Sequence, residues 1–182
     1  MTWHEIAPSE LWDTSFRLIG SAWTLIAAIT INKWNTRAAS WGGLGVLWSC
    51  PVSFPFVRPT RYTYAYLEES PFHTLSYFGE EHRVVLTHCG SVLRRDHDKA
   101  RETGLVPEAI ANEGVTFRQE RLVILRGRLY IQTVDPHRFV DSSLAAHYPA
   151  RDYHRLYVGH LEKVLVRQPH RGLHLLPQLY LC

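Results

Sequence analysis

Sulfur is scarce in this chain: Cys50, Cys89 and Cys182 stand far apart, and there is one methionine in 182 residues. No CxxC pair occurs, which excludes a zinc ribbon and a disulfide framework and fits a reducing compartment. Long hydrophobic runs are missing as well. The longest, LIGSAWTLIAAITI at 18–31, falls short of the ~20 residues that span a bilayer, and no basic-then-apolar leader is present. A soluble cytoplasmic protein with no membrane partner is expected. Charge of one sign is not in excess either: Lys plus Arg number 20 against 17 Asp plus Glu, a net +3 with His neutral. No global field of the nucleic-acid-binding kind follows, so any basic site must be local.

Catalytic signatures are equally sparse. There is no GxSxG, and Cys89, next to His88 in sequence, would not face it on a helix. GGLG at 42–45 is not GxGxxG and lacks a strand-to-helix setting, which excludes a Rossmann dinucleotide site. The chain has 11 histidines, but His82 and His88 sit on different faces of a predicted helix. His154 and His160 share a strand face about 20 Å apart at ~3.3 Å per residue. No metal site is expected.

What is present suits one globular domain: 46% hydrophobic and 20% charged residues. WTLIAAITI (23–31) reads as a strand buried on both faces, NKWN as a turn, and TRAASWG (36–42) and VSFPFV (52–57) as further strands, the last interrupted by Pro55. RYTYAYLEESP (61–71) shifts to helical period, with Tyr62, Tyr66 and Leu67 on one face and Pro71 after its end. FHTLSYF (72–78) alternates as a strand. EEHRVVLTHCG (80–90) opens on acids and closes on glycine as a helix would, and RDHDKARETG (95–104) repeats that order. LVPEAIANEG reads as loop, and RLVILRGRLYIQTV (121–134) and HRLYVGHLEKVLVR (154–167) as long strands with a glycine in each. About six strands with short helices and no βαβ alternation predict a small barrel.

Two stretches hold the chemistry. ASWGGLGVLW (39–48) sets two tryptophans around three glycines, a poor core strand but a fitting edge for a planar ring system, since glycine permits close backbone approach and tryptophan walls a ring. Core or dimer contacts would also account for Trp41 and Trp48. In RPTRYTYAY (58–66), Arg58, Arg61, Thr60 and Thr63 can surround one phosphate. A near-neutral chain with one such cluster favours a single phosphate over a nucleic-acid backbone, and a solvated helix start is the plainer alternative.

WTLIAA, NTRAASWGGLGVLW, PVSFPFVRPTRYTY, FHTLSYFGEEHR, CGSVLRRDHDK, RLVILRGRLYIQ and DYHRLYVG, in this order, resemble the flavin reductase-like family with the FMN-binding split-barrel fold, especially its flavoredoxin-like branch. The likeness covers about residues 15–167, leaving 1–14 as an extension and 168–182 as a tail. It implies a mainly β, six-stranded split barrel that forms a homodimer and binds FMN. It further implies an NAD(P)H-dependent flavin reductase or a flavoredoxin-like electron carrier, with reduced nicotinamide and a flavin or downstream acceptor as partners. Because the cofactor carries the chemistry, no catalytic acid, base or nucleophile is assigned. Matching N-x-M-T-x-S-W-G, Asn35, Ser40, Trp41 and Gly42 fall on the flavin-contacting loop. Arg58, Arg61 and Thr63 match the phosphate-facing block, and the resemblance implies that Ser76 puts backbone groups near the ring. The chain departs from the pattern at Arg37 and Ala38, where the family tends to have Met and Thr. It departs again in GSVLRRDHDK, where Val92, Leu93 and Arg94 replace Lys, Ser and Gly. Lys99 is the remaining candidate cation of that block, with Arg94 or Arg95 able to restore charge. These departures keep a second expectation in play: a non-catalytic flavin carrier, or a degenerate barrel acting as an interaction module.

Overall fold

A computed structural model describes residues 3–30, 33–91, 99–110 and 114–167. Eleven strands and three α-helices follow in order: β1 (His4–Ile6), β2 (Thr24–Thr30), β3 (Lys33–Ala39), β4 (Leu44–Leu47), β5 (Cys50–Ser53), β6 (Phe56–Val57), α1 (Tyr62–Glu69), β7 (Phe72–Tyr77), α2 (Arg83–Ser91), α3 (Lys99–Thr103), β8 (Pro107–Ile110), β9 (Gly114–Phe117), β10 (Leu122–Thr133) and β11 (Arg155–Val166). Nine strands join one antiparallel sheet in the order β3-β2-β7-β10-β11-β5-β4, with β1 and β6 also on β11, and β8 pairs with β9. The architecture is mainly β with short helices, as expected. The pairing forms an open path of strands and does not by itself establish a six-stranded barrel.

The sheet separates two apolar cores, which explains why β2 reads as apolar throughout. Ile26 and Ala28 join Leu75, Ile124, Tyr157 and Leu161 on one side, while Leu25 and Ala27 join Leu86, Cys89 and Phe117 on the other. Successive strand residues point to opposite faces, so a strand with a core on each side carries no polar face. The same burial overrides the alternation expected of FHTLSYF: His73, Thr74, Leu75, Ser76 and Tyr77 are all buried. Gly159 on β11 makes room for a buried cation, because a Cβ there would collide with the guanidinium of Arg126, which donates to the Tyr157 carbonyl at 2.7 Å.

Three further local expectations are corrected. Lys33, Trp34 and Asn35, read as part of a turn, lie in β3 and pair with β2. Pro107–Ile110, read as loop, pairs with β9 as β8. Gly90 stands inside α2 and does not cap it. Tyr62 and Tyr66 share a helical face as expected, their rings 5.5 Å apart, with Tyr62 at its exposed edge. Residues 168–182, the substituted positions Val92, Leu93 and Arg94, and the neighbouring Arg95 lie outside the described residues.

Candidate functional site

Past its pairing with β2, β3 continues through Ser40 and Trp41 alongside β6, where Phe56 N donates to the Trp41 carbonyl at 3.4 Å. The chain then leaves β6 and turns at Arg58–Arg61 into α1, with the Arg61 N–H bonded to the Arg58 carbonyl at 3.0 Å. Between these segments lies a cleft of about 180 Å³, walled by Ile26, Arg37, Ser40, Trp41, Arg58, Arg61, Thr63 and His154 among others. Trp41 and Arg61, 20 positions apart, therefore share one cavity.

Its charge comes from three arginines in different situations. Arg58 is occupied: Nη1 donates to both oxygens of Asp152, at 2.8 and 3.0 Å, and Nη2 to the His147 carbonyl at 2.8 Å. Thr60 adds a hydrogen bond to the same carboxylate at 3.3 Å. A carboxylate thus stands against Arg58 and Thr60, where a phosphate was expected, and the Arg58 bond holds Asp152 below the usual carboxylate range. Arg61 and Arg37 have no acidic or hydrogen-bonding side-chain partner among the described residues. Burial, and then the charges of Arg61 and Arg58, push the Arg37 guanidinium down to about 10, so it remains a cation at neutral pH. Among the described residues, no acidic side chain lines the cleft.

The remaining wall is aromatic and uncharged. Trp41, 43% exposed, lies against His154 with ring centroids 4.7 Å apart, and His147 meets its face edge-on at 5.6 Å. His154 is bonded through Nδ1 to the Tyr148 hydroxyl at 3.0 Å. Burial, followed by the nearby Arg58, pushes this imidazole down to about 4, so it presents a neutral ring at pH 7.

The other expected residues fall in several places. Asn35 is buried behind the cleft wall and donates through Nδ2 to Thr63 Oγ1 at 2.9 Å, while its Oδ1 has no partner among the described residues. Gly42, with φ +147°, makes room for the chain itself, since a Cβ there would stand 2.7 Å from the Phe54 carbonyl oxygen. Ser76 is fully buried in mid-sheet opposite Leu25 and Val123, accepts at its carbonyl from Thr24 Oγ1 at 3.2 Å, and lines neither cleft described here. Lys99 opens α3, but its side chain lies outside the described positions. Two of the polar lining residues were not among those expected. Arg37 counted as a departure, although strand alternation from Asn35 puts it on the same face; His154 had no signal of its own in the sequence.

A second cleft of about 290 Å³ adjoins the first at Ala38, Ala39 and Ser40 and is bounded by Trp23, Thr87, Gly90 and Ser91. Trp23 holds a left-handed backbone, φ +61°, and Arg83 lies over its ring at 5.0 Å. Among the described residues, no group of His, Cys, Asp and Glu is arranged to hold a metal ion, and no helix is long and apolar enough to cross a membrane.

The fold and cleft define a split-barrel-like β protein with a cationic, aromatic-walled site. No protein-family model matches the chain, and no curated protein does, so the likeness is one of structure. The chain is similar to an FMN-binding protein from Thermus thermophilus with bound p-hydroxybenzaldehyde (TM-score 0.64, 16% identity, covering 90% of this chain and 81% of that one). It is also similar to a flavoredoxin from Methanosarcina acetivorans (TM-score 0.61, 16% identity, 81% and 69%) and to a putative flavin reductase with split barrel domain from Shewanella frigidimarina (TM-score 0.64, 16% identity, 80% and 67%). At these identities the comparison establishes the fold: that of the FMN-binding, flavin reductase-like split-barrel proteins.

Proposed function

We propose that the chain is an FMN-binding oxidoreductase, either an NAD(P)H-dependent flavin reductase or a flavoredoxin-like electron carrier, built on a six-stranded split barrel that works as a homodimer. The observation that carries this reading is the meeting of Trp41 with Arg37 and Arg61 in one cleft. The residues present fit the cofactor. Two uncompensated guanidinium groups suit a phosphate, and the Trp41–His154 pair offers an apolar, uncharged wall beside it. The first cleft, about 180 Å³, is small for a whole flavin, but it adjoins the 290 Å³ second cleft across Ala38–Ser40. The two together come within the ~300–1,000 Å³ range of ligand sites.

Bound FMN supplies hydride and electron-transfer chemistry. The chain's own residues do the rest: Arg37 and Arg61 anchor the anionic end, Asn35 orients Thr63, and Trp41 shields the site from water. No acid, base or nucleophile is needed, in keeping with the lack of a catalytic dyad in the sequence. The commitment of Arg58 to Asp152 favours a second reading, a flavin carrier without reductase activity, because it removes one cation from the ligand.

The test is an absorption spectrum of purified protein after incubation with FMN, followed by anaerobic NADH or NADPH. Bound flavin that either nucleotide bleaches supports the reductase. Bound flavin that neither bleaches leaves the carrier, and no bound flavin rejects both. Sedimentation would check the homodimer.

A further inference from the structure

We propose that Trp41, His154 and Tyr148 form a one-electron relay, with the Tyr148–His154 hydrogen bond as its proton-coupled step. The relay replaces an electron lost from Trp41 in the cleft and is itself refilled from solution at Tyr153. It rests on the flavin-binding reading above, since the oxidant is a photo-excited flavin held in the cleft.

A chain of ring contacts carries it. Trp41 lines the cleft and lies against His154, with ring centroids 4.7 Å apart and planes inclined by 36°. His154 meets Tyr148 at 5.5 Å, and Tyr148 meets Tyr153 at 4.9 Å. Trp41 is exposed in the cleft, His154 and Tyr148 are buried, and Tyr153 is half-buried. The rings therefore lead from the cleft wall through the interior towards solvent. Tryptophan and tyrosine are the aromatic side chains that give up one electron most readily, and rings in near contact keep each electron step short.

The hydrogen bond decides where the radical rests. A phenol that loses an electron becomes a strong acid, so its oxidation is favoured where a base stands within hydrogen-bond reach. The Tyr148 hydroxyl lies 3.0 Å from His154 Nδ1. The imidazole is neutral at pH 7, and in its Nε2–H tautomer Nδ1 accepts. Arg58 lies over the Tyr148 ring at 5.3 Å. Its charge opposes a cationic tyrosyl, so the electron and the proton leave together. Asp152, paired with Arg58 at 2.8 Å, offsets that charge for the imidazolium that forms.

Electrons and protons balance along this path. Trp41 gives one electron to the excited flavin and becomes a radical cation. Tyr148 gives one electron to Trp41 across the His154 ring, its O–H bond breaks, and an N–H bond forms at His154 Nδ1. A thiolate in solution then gives one electron through Tyr153, and the proton returns from Nδ1 to the Tyr148 oxygen. The net transfer is one electron from thiolate to flavin, with each side chain restored.

Laser-flash absorption of the full chain with bound FMN tests this, repeated on Tyr148→Phe, His154→Gln and Trp41→Phe. Wild type should show a tryptophanyl signal that decays into a neutral tyrosyl signal, more slowly in D2O than in H2O. Tyr148→Phe should lose the tyrosyl signal and prolong the tryptophanyl one severalfold. His154→Gln, which keeps a hydrogen-bond acceptor but no base, should do the same, and Trp41→Phe should lose both signals. A tyrosyl signal that persists in Tyr148→Phe, or that His154→Gln leaves unchanged, overturns the relay and leaves the flavin reading standing. If FMN does not bind, the flavin reading falls, and the relay is read by flash-quench oxidation with a ruthenium polypyridyl complex in solution. A tyrosyl yield lower in both Tyr148→Phe and His154→Gln than in wild type then keeps the relay with a different oxidant. Equal yields overturn it as well.

Discussion

The two ends of helix α1 carry similar side chains to opposite effect. At its C-terminal end the cations are engaged: Arg155 donates to Glu68 Oε2 at 2.7 Å and Arg128 to the Leu67 and Glu68 carbonyls, both at 2.8 Å, while the Tyr157 hydroxyl donates to Glu68 Oε1 at 2.6 Å. Cations at a helix C-terminus also complement its dipole. At the N-terminal end, Arg37, Arg58 and Arg61 gather at the positive pole, and among the described residues only Arg58 has a carboxylate. The first arrangement holds the helix on the sheet. The second opposes the helix dipole and makes sense as provision for something negative that arrives from outside.

Substitutions at each end should separate stability from binding. The largest effect belongs to Glu68→Ala, which strands the Tyr157 hydroxyl and frees Arg155. It should cost about 3 kcal/mol, a fall in melting temperature of roughly 6 to 12 °C for a chain of this size, with FMN affinity unchanged. A parallel loss of flavin binding would show that the two ends are not independent. Asp152→Asn should cost less, about 2 kcal/mol, because the amide oxygen can still accept from Arg58 or Thr60, whereas Glu68→Ala removes every acceptor. It should also raise affinity for FMN or phosphate about threefold to tenfold, since a third guanidinium is freed towards the cleft. A fall in affinity would mean that the ion pair holds Arg58 for the ligand and not away from it.

Acid should act on the N-terminal end. His154 titrates near 4 in the fold and near ~6.5 when unfolded. The unfolded chain therefore takes up the proton first, and stability that is full above pH ~6.5 is lost as pH falls towards 4. The loss is about 1 to 2 kcal/mol, and buried His73, whose pKa burial also lowers, adds in the same direction. Melts between pH 7.5 and 4.5 should show a shallower decline for His154→Gln than for wild type. Equal slopes in wild type and His154→Gln would remove His154 from the account.

The same contrast explains what the sequence could disclose. β2, β10 and β11 were legible because long apolar, β-branched runs depend little on context, and α1 because its period change and Pro71 are local signals. The β8 strand was not, because its Pro107, Glu108 and Ala109 are poor strand formers that pair only because β9 lies beside them. In the site, Ser40, Trp41, Arg61 and Thr63 were readable from composition and spacing. The engagement of Arg58 was not, since Asp152 lies 94 positions away, and Arg37 looked like a defect until β3 set it beside Arg61. Gly42 was legible as a close approach, but the approaching group is the Phe54 carbonyl of the same chain. Neighbours in sequence can indicate that a charge is present; only the assembled sheet determines whether it is matched.

The smallest effect is also the one that opposes the two ends most directly. Arg61 occupies the N-cap of α1 in extended geometry, φ −90° and ψ 134°, without a capping hydrogen bond. A serine there can accept from the first-turn N–H groups, and its introduction removes a like charge from beside Arg37. Arg61→Ser should therefore stabilise the ligand-free fold by about 0.5 to 1 kcal/mol while weakening FMN or phosphate binding. The gain should be visible as a higher melting temperature without ligand and a smaller ligand-induced rise. A substitution that makes a protein more stable and less able to bind is what a functional cation at the wrong pole of a helix predicts. A loss of stability in Arg61→Ser would instead mark Arg61 as a packing residue and leave the cationic end of α1 without its proposed purpose.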